Sequence, residues 1–377
     1  MRAGTAGLRL SDAQRLAWLR LIRSERVGPT TFRELLNHYG TAAAALEALP
    51  DLSRRGGGVR GIKIASRPEA ERELDALTRL GGRLVALGEP DYPAHLRHVD
   101  APPPLLSMLG EEAIARRPAV AIVGARNASL AGRKIARSIA AGLGEHGLVV
   151  VSGLARGIDA AAHEATVDTG TIAVLAGGLD QIYPPENEPL LRSLVLAGGA
   201  AVTEMPLGWS ARARDFPRRN RLISGLGLAV VVVEAAKRSG SLHTARFASE
   251  QGRDVLAVPG SPLDPRAEGC NHLIREGATL VTSAADVIEA ISALIDDRPA
   301  EPPRHLEESE AERSAPMGEP DDAVRSRILE ALGPTPTAID EIIRECALDA
   351  GVVQLVLLEL ELAGRLERHG GGTVSLI

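Results

Sequence analysis

From Ala119 onward the chain carries a series of short, uninterrupted apolar runs, AVAIVGAR, GLVVVSG, TIAVLAGG, AAVTE, LAVVVVEA, DVLAVPG and ATLVT, with helical stretches between most of them. A strand that is apolar at every position has no face to give to water, so both of its faces must be covered. That is the condition of a parallel sheet with helical layers on each side, and it predicts a doubly wound, mostly parallel α/β domain. In such a sheet ligands bind at the carboxyl ends of the strands, where loops meet helix N-termini with unpaired N–H groups.

The two ends of the chain read differently. Residues 11–50 show helical apolar spacing (Leu16, Leu19 and Ile22; then Phe32, Leu35 and Leu36) broken at Val27-Gly28-Pro29, and VGPTTFRELLNHYG is similar to a helix-hairpin-helix. With the helical segment from Pro68, this predicts a helical domain of helix-hairpin-helix or SAM-like type over residues 1–80. A short strand near residues 83–87 and the proline-rich DAPPPLL lead into the α/β domain, placed at 81–296. Residues 297–321 give up apolar periodicity for Pro, Glu, Asp and Ser, which predicts a disordered acidic linker with a reach of roughly 25–30 Å. Three helical patterns then precede RLERHGGGTVSL, two short strands about a triple glycine, so residues 322–377 predict a winged helix. Its third helix carries Asp349, Gln354, Glu359 and Glu361, with no Lys or Arg before Arg365. Such a face suits a protein partner or self-contact better than a groove lined by phosphates.

Composition sets outer bounds. With 377 residues, 45% of them hydrophobic, and a net charge of −6, the chain is long enough for several packed domains and too acidic to coat polyanions indiscriminately. A local basic basin still attracts phosphate, because steering depends on the local field. Cys270 and Cys346 stand far apart without CxxC spacing or matched histidine pairs, which points to reduced thiols and away from zinc. MRAGTAGLRLSDAQRLAWLR has no apolar h-region and no run of ~20 apolar residues occurs, so a cytoplasmic protein without membrane insertion is expected.

The polar residues that stand out fall in loops at the predicted carboxyl ends of the strands or just before one. GARNASLAG holds Arg126 and Ser129; SGLARGID holds Ser152, Gly153, Arg156 and Gly157; FPRRNRLI holds Arg218, Asn220 and Arg221; KRSGSLHTA holds Lys237, Arg238, Ser239, Gly240 and Ser241. Small residues let the backbone approach an anion closely, and a guanidinium fork matches phosphate oxygens. Any one of these glycines can serve only a tight turn, and any one arginine can pair with a carboxylate such as Glu234 or Asp159. Their joint concentration at one rim, where acidic residues are sparse, points to phosphate instead. No GxGxxG follows a strand of the sheet and no GxxxxGK[ST] occurs, which argues against a dehydrogenase or an ATPase.

The ordered series GARNAS, VSGLARGIDAAAHEAT, TIAVLAGGLDQIYPPEN, FPRRNRLISGL, VVVEAAKRSGSLHTARFASEQGRDVLAVPG and GCNHLIREGA resembles the DNA-processing protein A family (DprA, also called Smf) nearly end to end across the α/β domain. The helical N-terminal module and the winged helix are typical accessories of that family. The resemblance implies an extended Rossmann-like domain that binds and protects incoming single-stranded DNA, dimerises through that domain, and loads the recombinase RecA during natural transformation. It implies no catalysis and no cofactor. Carried over to this chain, Arg126, Ser152 to Gly157, Arg218, Asn220, Arg221 and Ser239 to Ser241 fall on phosphate-binding loops, with Lys237 and Arg238 extending the basin. Ala131 stands where related sequences often carry an aromatic residue.

Phosphate-dominated, sequence-tolerant and salt-sensitive binding is therefore expected. Aromatic residues total only 2%, and Phe216 beside the arginines is the candidate for base stacking, with core packing as its rival role. An enzymatic alternative is a nucleotide phosphoribohydrolase of the lonely-guy type, whose PGGxGTxxE loop SGSLHTARF approximates. Phe247 stands there in place of the catalytic glutamate, which leaves the chemistry without its carboxylate. Hydrolysis by Ser152 with Asp159 and His163 is a further alternative, and it lacks a GxSxG nucleophile elbow.

Overall fold

The structure, a computed structural model, describes residues 9–295 and 320–377; the linker expected at 297–321 lies outside the described residues but for its last two positions. In chain order the elements are α1 (Asp12–Arg23), α2 (Pro29–Tyr39), α3 (Ala42–Arg55), α4 (Arg67–Arg79), β1 (Gly82–Ala86), β2 (Leu105–Gly110), β3 (Ala119–Gly124), α5 (Leu130–Glu145), β4 (Val149–Ser152), α6 (Ile158–Glu164), β5 (Thr171–Val174), α7 (Glu188–Leu196) and β6 (Ala200–Thr203). They continue with α8 (Asp215–Leu226), β7 (Ala229–Val233), α9 (Ser241–Glu250), β8 (Asp254–Ala257), α10 (Glu268–Arg275), β9 (Thr279–Leu280), α11 (Ala284–Ile295), α12 (Asp322–Glu330), β10 (Thr337–Ala338), α13 (Ile339–Cys346), α14 (Ala350–Leu362), β11 (Leu366–His369) and β12 (Thr373–Leu376). Two compact units result, one built on residues 73–295 and the other on 10–72 together with the C-terminal residues through 377.

Every apolar run of the first unit becomes a strand of one nine-stranded sheet, ordered β1-β2-β6-β5-β4-β3-β7-β8-β9. From β6 to β9 all neighbours are parallel, and β1 and β2 add an antiparallel edge. Strand residues alternate between the two faces. On one face Val120, Ile122, Val150, Val231 and Val233 pack with Ile139 and Leu143 of α5, Ile158 and Ala162 of α6, and Val287 and Ile291 of α11. The intervening Ala121, Val123, Val230 and Val232 are as deeply buried on the other face, where α8 and α9 pack on β3 and β7. Strand order runs outward in both directions from β3, so the topological switch point lies between β3 and β7.

The second unit joins the two ends of the chain. Trp18 of α1 and Phe32 of α2 meet edge to face at 5.0 Å over a core of Leu19, Leu35, Leu49 and Leu52. The C-terminal residues form three helices and a three-stranded sheet ordered β10-β12-β11, with Ile328, Ile342, Val356, Leu357, Leu366 and Val374 inside. The third helix of this winged helix, α14, is buried on both sides, Leu355 and Leu358 included. Its outer side lies against α3 so closely that a Cβ added at Gly56 would stand 1.9 Å from the carbonyl oxygen of Glu359. Of the face anticipated for a protein partner or self-contact, Glu359 is thus covered by the chain's own N-terminal helices and held by Arg325 through two bonds of 2.8 and 3.0 Å, whereas Asp349 and Gln354 stay exposed.

Candidate nucleic-acid interface

Three loops at the carboxyl ends of β3, β4 and β5, together with the first turns of α8, flank a shallow cavity open to solvent and lined by Arg126, Gly153, Ala155, Arg156, Tyr183, Pro184, Phe216 and Arg219. Helix α8 sorts its basic residues by helical spacing. Phe216 and Arg219, three apart, share the side facing the cavity, whereas Arg218 and Arg221, also three apart, turn to the other side. Arg219 is 5% exposed, donates to the carbonyl of Val174 at 2.6 Å and has an Nε with no partner within the protein. Burial lowers its pKa to about 10, so it remains a cation at neutral pH, with the Asp159 carboxylate working the other way. Asp159 in turn accepts the N–H groups of Gly153 at 3.1 Å and Ala155 at 3.4 Å, which fixes the SGLARG loop as the lead into α6.

Gly153 is where the cavity floor most needs a missing side chain: a Cβ there would lie 2.0 Å from the Arg219 guanidinium. Leu154 beside it and Glu234 after β7 both hold positive φ, at 55° and 52°, a conformation that costs roughly 1–3 kcal/mol for such residues. Strain of this kind at the ends of two strands is the mark of loops held for what they present. Arg126 is exposed, has no carboxylate partner among the described residues, and lays its guanidinium over the Phe216 ring at 5.0 Å. Tyr183, half exposed, meets the same ring edge to face at 5.5 Å. Phe216 therefore stands in the cavity wall and not in the sheet core. A second pair of the same kind lies just before α8, where Arg212 covers Trp209 at 4.8 Å and the Trp209 indole donates to Asp215 at 2.9 Å.

The residues singled out from the sequence divide into three groups. Arg126, Gly153 and Arg156 line the cavity, although Arg156 shares its guanidinium with Glu186 on the surface. A second group is taken up by the fold. Ser152 is fully buried and donates to the Ile122 carbonyl at 2.6 Å. Ser129 caps α5 through Gly132 N–H at 2.9 Å and also donates to Glu234, so the switch point between β3 and β7 is closed by a serine–carboxylate contact. Gly157 has φ of 79°, and a Cβ there would meet the Ala125 carbonyl at 2.3 Å. Arg218 and Arg221 both clamp Glu204, which is 8% exposed, and Arg221 also donates to the Ala101 carbonyl at 3.1 Å. The third group forms a separate stretch of rim after β7. There Asn220 donates to the Gly240 carbonyl at 3.2 Å, Ser239 and Ser241 share a 2.7 Å hydrogen bond, Lys237 approaches Glu268 at 3.7 Å, and Arg238 is exposed.

Arg219, Tyr183, Pro184 and the Trp209–Arg212 pair escaped the sequence reading. The i to i+3 spacing of Phe216 and Arg219 was a usable signal for the first of them. Nothing local marks the others, which reach the rim through long loops. The alternative hydrolytic set is buried: Ser152 donates to a backbone carbonyl, Asp159 is 6% exposed, and His163, its pKa pushed down to about 3 by burial, bonds to Thr171 at 2.7 Å. Phe247 receives the Arg246 guanidinium at 5.3 Å.

The family profile for DNA recombination-mediator protein A matches residues 83–292, and profiles for a DprA-like N-terminal HHH domain and a DprA winged helix domain match residues 12–76 and 310–372. This chain belongs to the DprA/Smf family. Protein Smf of Synechocystis is 33% identical over 96% of this chain and 98% of its own length. DNA processing protein DprA of Streptococcus pneumoniae is 46% identical over 52% of this chain and 70% of its own. Among solved structures, the DprA of S. pneumoniae superposes with a TM-score of 0.55 at 40% identity, covering 59% of this chain and 77% of that one. The DprA of Helicobacter pylori, whose structure is described as showing a single-stranded DNA binding mode, superposes at 0.51 with 26% identity, covering 56% and 96%. The family's N-terminal HHH domain, mostly parallel Rossmann-like sheet and C-terminal winged helix are the three parts seen here. No described helix is long and apolar enough to cross a membrane.

Proposed function

We propose that this protein binds single-stranded DNA along the carboxyl rim of its α/β sheet, through phosphate contacts that carry no sequence information and through bases stacked on partly exposed rings, without catalysis. The observation that carries this reading is the convergence of Arg126, Arg156 and Arg219 on Tyr183 and Phe216 in one cavity. The cleft is shallow and open to solvent, unlike a site that engulfs a small molecule, and it suits part of a longer polymer. Trp209 with Arg212 continues the same pairing of ring and cation along the rim, and Lys237, Arg238 and the Ser239–Ser241 turn extend it past β7. The described binding mode of the H. pylori relative supports the same polymer.

Within this reading the protein protects incoming single strands and loads RecA during natural transformation, as a homodimer through the Rossmann-like domain. Among the described residues β9 ends the sheet, with Leu280 half exposed, and this edge supports the dimer, since unpaired edges invite pairing. Two linked sites raise avidity through effective concentration without any new contact. Fluorescence anisotropy with single-stranded and duplex oligonucleotides across a salt series tests the proposal. Preference for the single strand with a steep loss of affinity in salt is expected; equal affinity for both polymers, or release of a cleaved product, would overturn it. If Arg126 and Arg156 each hold one phosphate, replacing both by Ala lowers the log–log salt slope by about 1.4.

A further inference from the structure

Where the two ends of the chain meet, their junction gathers more cations than its own contacts use. Arg26, between α1 and α2, holds a φ of 60°, a strained backbone for an arginine, and its guanidinium packs on Gly364, where an added Cβ would stand 2.7 Å from it. The next residue of the winged helix, Arg365, donates to the Gly56 carbonyl at 3.1 Å and lies over Gly57. Arg54 ends α3 just before these glycines, and Arg60 stands in the loop that follows them. Lys63 runs beside Glu25, accepting its N–H at 2.9 Å and donating a backbone N–H to its carboxylate at 3.1 Å. All five cations are exposed. Arg54 pairs with Asp51 at 3.0 Å and Arg26 approaches Glu25 at 3.6 Å, whereas the side chains of Arg60, Lys63 and Arg365 have no carboxylate partner among the described residues. Glu34 and Glu361 are taken up by Arg368, and Glu69 by Ser66. The loop adds donors of its own, since the N–H groups of Val59, Arg60 and Gly61 are exposed and meet no acceptor among the described residues.

We propose that this junction, built jointly by the two chain ends, is a second nucleic-acid surface that holds the phosphate backbone of duplex DNA. It belongs to the unit without the rim and works independently of it. Guanidinium forks and exposed backbone amides together are the groups that contact phosphates. The composition of the surface selects the ligand. A protein interface gathers aromatic and apolar residues at its centre and keeps charge out of it. Here charge fills the centre, and Val59 is the large apolar side chain the loop exposes. A single strand is held by rings on which its bases stack as well as by its phosphates. Trp18 and Phe32 of this unit are buried, and neither residues 40–91 nor residues 320–377 contain a Phe, Trp or Tyr. Without a ring to stack a base, the surface can hold only phosphates. Duplex DNA offers these most densely, at one charge per roughly 1.7 Å of helix axis.

The experiment measures the affinity of the full chain for a fluorescent blunt duplex and for a single strand, at low salt and across a salt series. Wild type is expected to bind the duplex measurably, and more weakly than the single strand. The side chains of Arg60 and Lys63 make no hydrogen bond or ion pair among the described residues, so both can be reversed without disturbing the junction. Arg60→Glu with Lys63→Glu is expected to lower duplex affinity about tenfold or more, with single-strand affinity and the urea midpoint unchanged. Arg60→Ala with Lys63→Ala lowers the log–log salt slope for the duplex by about 1.8. Arg126→Glu on the rim is expected to do the reverse, losing the single strand and keeping the duplex. Absence of duplex binding by wild type at low salt, wild-type duplex affinity in a folded Arg60→Glu, Lys63→Glu protein, equal loss of both polymers in that protein, or loss of the duplex in Arg126→Glu overturns the proposal.

Discussion

At the scale of single residues, the site depends on which arginines are free to leave the protein for a phosphate. Among the described residues Arg126 is exposed without a carboxylate partner, whereas Arg221 is locked to Glu204 and to a backbone carbonyl. Charge reversal at the two positions should therefore fail in different ways. Arg221→Glu sets a second carboxylate against buried Glu204 and is expected to cost about 3–5 kcal/mol of stability, read as a lowered urea midpoint. Gly153→Ala would drive a methyl group into the anchored Arg219 guanidinium and is expected to cost about 1–3 kcal/mol and to weaken oligonucleotide binding together. This distinction was not legible in FPRRNRLI itself. Three arginines in six residues read alike until the helix separates Arg219 from its neighbours and a carboxylate from the end of β6 claims two of them.

At the scale of elements, the sheet was legible and its loops were only half so. Parallel strands covered on both faces announce themselves as unbroken apolar runs, and the carboxyl rim follows from topology once the strands are in order. What a loop presents at that rim depends on partners distant in sequence: Glu186 for Arg156, Glu234 for Ser129, Asp215 for Trp209. The aromatic content looked too low for a stacking surface, yet Tyr183, Phe216 and Trp209 all reach the loops and first turn around this rim. Base stacking contributes ~1–3 kcal/mol per base, so Tyr183→Ala and Trp209→Ala are each expected to weaken single-strand binding about tenfold or more, with the salt slope unchanged. Loss of slope without loss of affinity in these variants would assign the rings a purely structural role.

At the scale of the whole molecule, one unit carries the sheet and its rim while the other is assembled from the two ends of the chain. The run VVQLVLLELEL in α14 held a clue to that assembly, since a helix apolar nearly all round has a second face to bury. Which surface would cover it could not be read locally, because α3 lies some three hundred positions away in sequence. The central claim concerns the rim, and the most direct measurement is the affinity of Arg126→Glu for a fluorescent single-stranded oligonucleotide at low salt, beside its urea midpoint. The account predicts a loss of about 100-fold or more in affinity with the midpoint unchanged. Wild-type affinity in a folded Arg126→Glu protein would contradict it.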